Sequence, residues 1–202
     1  MPEYPPSDFD RGDLILTTVG SGTIFHRIYF ARYPDPLGYG KTPSRFSDPR
    51  RRVENNRFGV LYLGETVAVC FLEAVLRDQR NGVIGNYPIS ERELRERQCA
   101  QIEVVRPLRL VELRGNSLIT MGVPTDVPRW SRHTLSRRWS VAFHEHPDAP
   151  DGIVYPSRLN GHTNLAIYDR AIIPNLRVQN TTPLIERSEL PRVLDDFRVA
   201  LV

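Results

Sequence analysis

Apolar positions along the chain fall into short runs of two periods. Thr23 to Tyr29 (TIFHRIY) is β-rich and roughly alternating, which predicts a strand carrying Arg27. Phe58 to Gly64 (FGVLYLG) reads as a buried strand. Directly after it, Thr66 is placed to cap a helix of sequence VAVCFLEAVLRDQ. Ser90 and Glu93 in SERE form a capping box for a second, short helix. Ala100 to Val105 and Leu108 to Leu113 read as strands separated by Pro107. In Trp130 to His146, Leu135, Trp139, Ala142 and Phe143 share one helical face. Gly152 to Tyr155 and Asn164 to Tyr168 read as strands joined by Pro156 to Gly161. A β-prone stretch follows at Ile172 to Val178, and a helix is expected over Ser188 to Val202.

Strands and helices mix without a regular βαβ alternation. The expected class is α+β, with a mixed, twisted β-core flanked by helices. At 202 residues the chain is long enough for one domain with its own core. The expected organisation is an N-terminal arm and first segment over 1–22, a catalytic domain over 23–180, and a C-terminal helical segment over 181–202 packed on that domain. Residues 1–13, acidic and proline-rich, read as a flexible arm without the order of a signal peptide. No run approaches the ~20 apolar residues of a membrane span. The two cysteines, Cys70 and Cys99, lack metal-ligand spacing and read as buried thiols of a reduced, cytoplasmic protein.

Charge adds one unusual feature. The formal net charge is only +3, yet of 27 basic residues Lys41 alone is a lysine. A GC-rich genome accounts for this by itself; the competing reading is that some arginines grip phosphates with a bidentate fork.

Three places carry candidate chemistry. Glu73 lies in a helix that is apolar on nearly every side, and a buried carboxylate is costly unless it is paired. A structural partner or an active site would each account for it. Arg27 sits among apolar and aromatic strand residues, where arginine is seldom buried alone; an edge position facing water is the alternative. The loop Gly38 to Phe46 (GYGKTPSRF) combines glycines, a stacking ring in Tyr39 and donors in Lys41, Ser44 and Arg45, without the spacing of a P-loop. It belongs to an irregular stretch, Pro34 to Asn56, of a length more often functional than idle. His144-Glu145-His146 lacks metalloprotease spacing and reads as a solvated helix end. Arg50-Arg51-Arg52 reads as a solvated loop, not a nucleic-acid stripe.

Taken in order, FHRIYF, GYGKTPSRFS, GVLYLGETVAVCFLEAVL and DGIVYPSRLNGHTNLAIYD resemble the RES domain family, named for an arginine, a glutamate and a serine. The resemblance covers roughly residues 23–170. The naming residues fall on Arg27, Glu73 and Ser157, which the resemblance implies are catalytic. The family's loop arginine falls on Arg45 and its strand tyrosine on Tyr62. Ser44 stands where many members have glycine, and Ser47 where many have asparagine.

The resemblance implies an ADP-ribosyltransferase-like fold. It also implies an enzyme that cleaves the nicotinamide–ribose bond of NAD⁺, with water or inorganic phosphate as acceptor. Such proteins are often the toxin of a bacterial toxin–antitoxin pair, with a small helix-turn-helix antitoxin as partner. Arg27 and Arg45 then suit the pyrophosphate. Glu73 suits the positive charge that develops on the ribose. Ser157 is expected to bond the ribose or the nicotinamide amide, without a base to make it a nucleophile. Tyr39 and Tyr62 are expected to stack or bond a hydroxyl, and Asn164 to hold the Ser157 turn. No metal and no further cofactor is expected, nor any membrane or direct nucleic-acid contact. Two rival readings remain open: transfer of ADP-ribose to a macromolecule, and a non-enzymatic arginine-rich module that binds nucleic acid.

Overall fold

The computed structural model describes residues 4–50, 56–131 and 133–202. Ten strands and six α-helices are set out in chain order among these residues. The strands are β1 (Leu16–Val19), β2 (Ile24–Phe30), β3 (Val60–Gly64), β4 (Tyr87–Ile89), β5 (Arg97–Val104), β6 (Leu108–Glu112), β7 (Gly152–Pro156), β8 (Thr163–Tyr168), β9 (Leu176–Pro183) and β10 (Val199–Leu201). The helices are α1 (Val67–Phe71), α2 (Glu91–Arg95), α3 (Ser117–Thr120), α4 (Thr134–Glu145), α5 (Asp169–Asn175) and α6 (Leu190–Asp196).

Eight strands form one mixed sheet in the order β1-β6-β7-β8-β3-β2-β5-β9, and β10 pairs with β4 in a small second sheet. Within the large sheet β6 and β7 run parallel, and the other neighbours are antiparallel. The expected α+β class with a mixed sheet is what the chain adopts.

The sheet is not uniformly knit. β3 pairs with β8 over its whole length, and β2 with β5 likewise. Between β2 and β3, however, the register has a single pair, His26 opposite Gly64. The two halves of the sheet therefore diverge at this seam, and a cleft opens there.

Helices cover the faces that the strand alternation makes apolar. On one face Trp139 and Phe143 of α4 pack against Val60, Ile153, Ala166 and Tyr168. Near the other end Phe71, Leu94, Leu190 and Val193 gather around Ile28 and Cys99. Both cysteines are buried and free.

Four expectations need correction. The described part of the 1–13 segment is docked: Phe9 meets the Trp139 ring edge-on at 5.0 Å, and Gly12 O lies 3.0 Å from His146 Nε2. Ser90 starts α2 without a side-chain cap, and the Glu93 carboxylate accepts from Arg97 Nη2 at 2.9 Å. Ile172 lies in α5, and the strand begins only at Leu176. The C-terminal helix stops at Asp196, after which Arg198 takes a positive φ of 49° and the chain leaves as β10.

Candidate functional site

A cavity of about 610 Å³ sits at the seam between β2 and β3, a size suited to a small-molecule ligand. Its floor follows from strand register. Asn164 stands opposite both Gly64 and Tyr155, so the period of two aims Tyr155, Asn164 and Tyr62 at one face of the sheet. Glu65 ties the start of β8 to the end of β3: it accepts from Thr163 N at 3.0 Å and pairs with His162 Nδ1 at 2.6 Å.

The helix after β3 brings the carboxylate. Thr66 caps it as expected, its Oγ1 accepting from Val69 N at 3.2 Å. Gly64 permits the close approach, since a Cβ there would lie 2.6 Å from Val69 Cγ1 and 2.7 Å from Cys70 Sγ. After Phe71 the winding changes. Leu72–Leu76 is a π-helix containing Glu73, and Arg77 ends it at φ 47° and ψ −133°. Such π-turns and strained residues concentrate at functional sites.

Glu73 lines the cavity and is anchored from behind. Ser157 Oγ donates to its Oε1 at 2.7 Å, and Asn164 Nδ2 donates to the same oxygen at 3.0 Å. The Ser157 hydroxyl in turn accepts from Leu159 N at 3.2 Å. Its turn is closed by Ser157 N donating to His162 O at 2.6 Å and Gly161 N donating to Ser157 O at 2.9 Å. Both donors fall on Oε1, which leaves Oε2 for a guest. Two donors hold that oxygen in place before anything binds, a preorganisation that electrostatic catalysis uses.

Facing this carboxylate is a cationic wall. Arg27 is largely buried, and burial lowers its pKa; its Nη1 donates to Pro36 O at 2.6 Å. Arg45 donates to Trp130 O at 2.8 Å. The Arg45 loop is held by its neighbours. Ser44 N donates to Ser47 Oγ at 2.9 Å, Phe46 N donates to Tyr62 Oη at 2.8 Å, and Ser140 of α4 donates to Phe46 O at 2.7 Å. The serines at 44 and 47 thus close the loop locally, and burial raises the pKa of the Tyr62 phenol. His133 is also in the wall. Burial, followed by Arg45, Arg137 and Arg158, lowers its pKa to about 4, so it is a neutral imidazole at neutral pH.

Arg27, Glu73, Arg45, Tyr62 and Asn164 therefore meet at one cavity. Two expected residues stand elsewhere. Ser157 is buried behind Glu73 and is not part of the cavity wall, and Asn164 braces Glu73, not the Ser157 turn. Tyr39 is outside the wall, with its ring laid on the backbone of Gly59, where a Cβ would collide with it. Sequence reasoning passed over Tyr155, His133, Arg77, Asp78 and Arg158. Of these Arg158 had a signal, since it follows Ser157 directly.

The remaining motifs have structural partners. His144 stacks on Phe58 with ring centroids 4.2 Å apart, and His146 Nε2 lies 3.0 Å from Gly12 O, so neither stands at a solvated end. No group of three or more His, Cys, Asp or Glu side chains with metal-binding geometry occurs among the described residues. Arg50 is committed to Asp48 at 2.7 Å and to Glu145; Arg51 and Arg52 lie outside the described residues. No helix among the described residues is long and apolar enough to cross a membrane.

Comparison with known proteins bears on the family and the fold. The profile of the RES domain matches residues 24–186. The probable toxin y4kH of Sinorhizobium fredii (strain NBRC 101917 / NGR234) is 42% identical over 128 residues, covering 63% of this chain and 100% of the relative. Among solved structures, a chain of the M. tuberculosis MbcT–MbcA toxin–antitoxin complex superposes with a TM-score of 0.61. The match covers 90% of this chain and 91% of that one at 17% identity, a level that speaks to fold alone.

Proposed function

The chain belongs to the RES domain family, and from that premise we propose that it degrades NAD⁺ by cleaving the bond between nicotinamide and ribose, as the toxin of a toxin–antitoxin pair. The observation that carries this reading is Glu73, a carboxylate anchored on one oxygen by Ser157 and Asn164 in the wall of a cavity that arginines also line.

Cleavage of an N-glycosidic bond builds positive charge on the ribose ring. Glu73 Oε2 stabilises that charge without having to reorient. Nicotinamide leaves as a neutral molecule, so no proton has to be delivered to it. The guanidinium groups of Arg27 and Arg45 hold the pyrophosphate, for which their geometry is suited. Tyr62 and Tyr155 supply ring faces and hydroxyls on the floor. Ser157 is a positioning residue in this scheme. It has no base of its own, and its proton is held by Glu73.

The toxin role draws on the curated relative's name and on the toxin–antitoxin complex that shares the fold. The antitoxin would be a separate protein that closes the cavity. The acceptor is water or inorganic phosphate.

Incubation of the purified protein with NAD⁺, with and without phosphate, tests the reading when products are separated by mass. Nicotinamide is expected in at least one condition, together with ADP-ribose or its phosphorylated form. No nicotinamide in either condition overturns it. Label transferred from NAD⁺ to protein or nucleic acid would instead assign a macromolecular acceptor.

A further inference from the structure

Two turns meet at the mouth of the cavity. One joins β7 to β8 and carries Ser157 and Arg158; the other ends the π-helix and carries Arg77 and Asp78. Arg158 Nη2 donates to both carboxylate oxygens of Asp78, each at 2.5 Å. The pair therefore clasps the segment that anchors Glu73 to the segment that bears it.

The composition of the wall makes the clasp informative. Among the described lining residues the carboxylates are Glu73 and Asp78, whereas Arg27, Arg45, Arg77 and Arg158 are cations. Glu73 is held by Ser157 and Asn164. Asp78 is thus the counter-ion of the cationic side, and its carboxyl lies below its usual value, first because of Arg158 and to a smaller extent because of a hydrogen bond from Asn81 and the charge of Arg45. The pair is also easy to part. The side chains are 31% and 51% exposed, and ion pairs of that kind contribute only about 0–1 kcal/mol. A phosphate group offers the same acceptor geometry to a guanidinium, and a pyrophosphate brings a second charge for the neighbouring arginines.

We propose that Asp78 is a built-in stand-in for the anionic part of the ligand. Its carboxylate occupies Arg158 until a phosphate oxygen of an entering pyrophosphate-bearing ligand takes its place. Arg158 is then a phosphate-binding residue, and Asp78 sets how strongly an anion must bind to enter. The identity of the natural ligand rests on the proposed NAD⁺ reading; the exchange itself does not.

Calorimetric titration with inorganic pyrophosphate and with ADP-ribose tests the exchange without any turnover, with adenosine as the uncharged control. Asp78→Asn is expected to tighten both anions roughly three- to tenfold, by removing the competing charge. Arg158→Gln is expected to weaken them about tenfold or more. In the double variant the gain from Asp78→Asn should vanish, because the two residues act as one unit. Asp78→Ser repeats the test should the asparagine variant fail to fold.

Unchanged or weaker anion binding in a folded Asp78 variant overturns the inference, because a purely structural clasp gives that result. So does an absence of anion binding by wild type and variant alike. Tighter pyrophosphate binding without any NAD⁺ cleavage would keep the inference and discard the proposed function. NAD⁺ cleavage with an unmoved KM in Asp78→Asn would do the reverse.

Discussion

Ser157 donates its one hydroxyl proton to Glu73 Oε1 and stands outside the cavity wall, so its effect on chemistry runs through the carboxylate. A hydrogen bond to a charged group is worth about 1.5–3 kcal/mol, which corresponds to ~10–100-fold in rate. Ser157→Ala is accordingly expected to lower kcat by that factor while KM moves little. A rise in KM at constant kcat would show instead that the hydroxyl binds substrate.

His133 stands in the same wall as Arg45 and Arg158. With its pKa lowered to about 4 by burial and by Arg45, Arg137 and Arg158, the imidazole should stay neutral on acidification until about pH 4. An anion bound among those arginines should raise that value. Nuclear magnetic resonance of the ring, with and without ADP-ribose, reads both; ordinary titration near 6.5 without ADP-ribose would contradict the placement.

How much of the site the sequence reveals also differs residue by residue. Glu73 is conspicuous because a carboxylate interrupts an apolar helix. Arg27 is conspicuous for the same reason in a strand. The direction of the Ser157 side chain has no signature, because a turn residue can face either way and the choice is made by Glu73, 84 positions away. His133 and Asp78 carry no pattern either, since their importance comes only from the arginines gathered around them.

At the scale of elements, the segment from β3 to the π-helix does most to build the site. The sequence marks its start through the apolar strand and the Thr66 cap, but five residues of π-helix look like any other apolar helical turn. Gly64 is the joint. A methyl there would meet Val69 and Cys70 inside ordinary contact distance, and overpacking of this kind costs about 1–3 kcal/mol. Gly64→Ala should therefore lower the melting temperature and, by shifting α1, reduce turnover beyond what the lost stability explains. A fully active, fully stable alanine variant would show that the helix does not need this approach.

The C-terminal segment illustrates the opposite case. Its apolar residues fit a helix as well as a strand, and β10 exists because Val199 to Leu201 pair with Tyr87 to Ile89, a distant partner that no local period announces.

At the scale of the molecule, the α+β class is legible from the succession of runs, but the strand order is not. Sequence neighbours β2 and β3 barely pair, and that weak seam is where the cavity lies. The whole fold also carries a pH signature through His144, packed between Phe58 and Tyr168. Burial, followed by Arg170, lowers its pKa to about 4. As pH falls below about 6.5, the unfolded chain takes up a proton that the folded chain refuses until about pH 4. Stability is therefore full above that window and is lost across it. His144→Phe, which keeps the stacking, should make the loss shallower in melting curves taken from pH 7 to pH 4; an unchanged slope would assign the acid sensitivity elsewhere.

If the anchored Glu73 drives NAD⁺ cleavage, comparing wild type with Glu73→Gln in a nicotinamide-release assay, at matched concentration and confirmed fold, reads it out directly. Wild type is expected to release nicotinamide and the variant to be slower by roughly 100-fold or more, the scale of removing a key electrostatic group. Equal release by both proteins, or none by wild type, would contradict it.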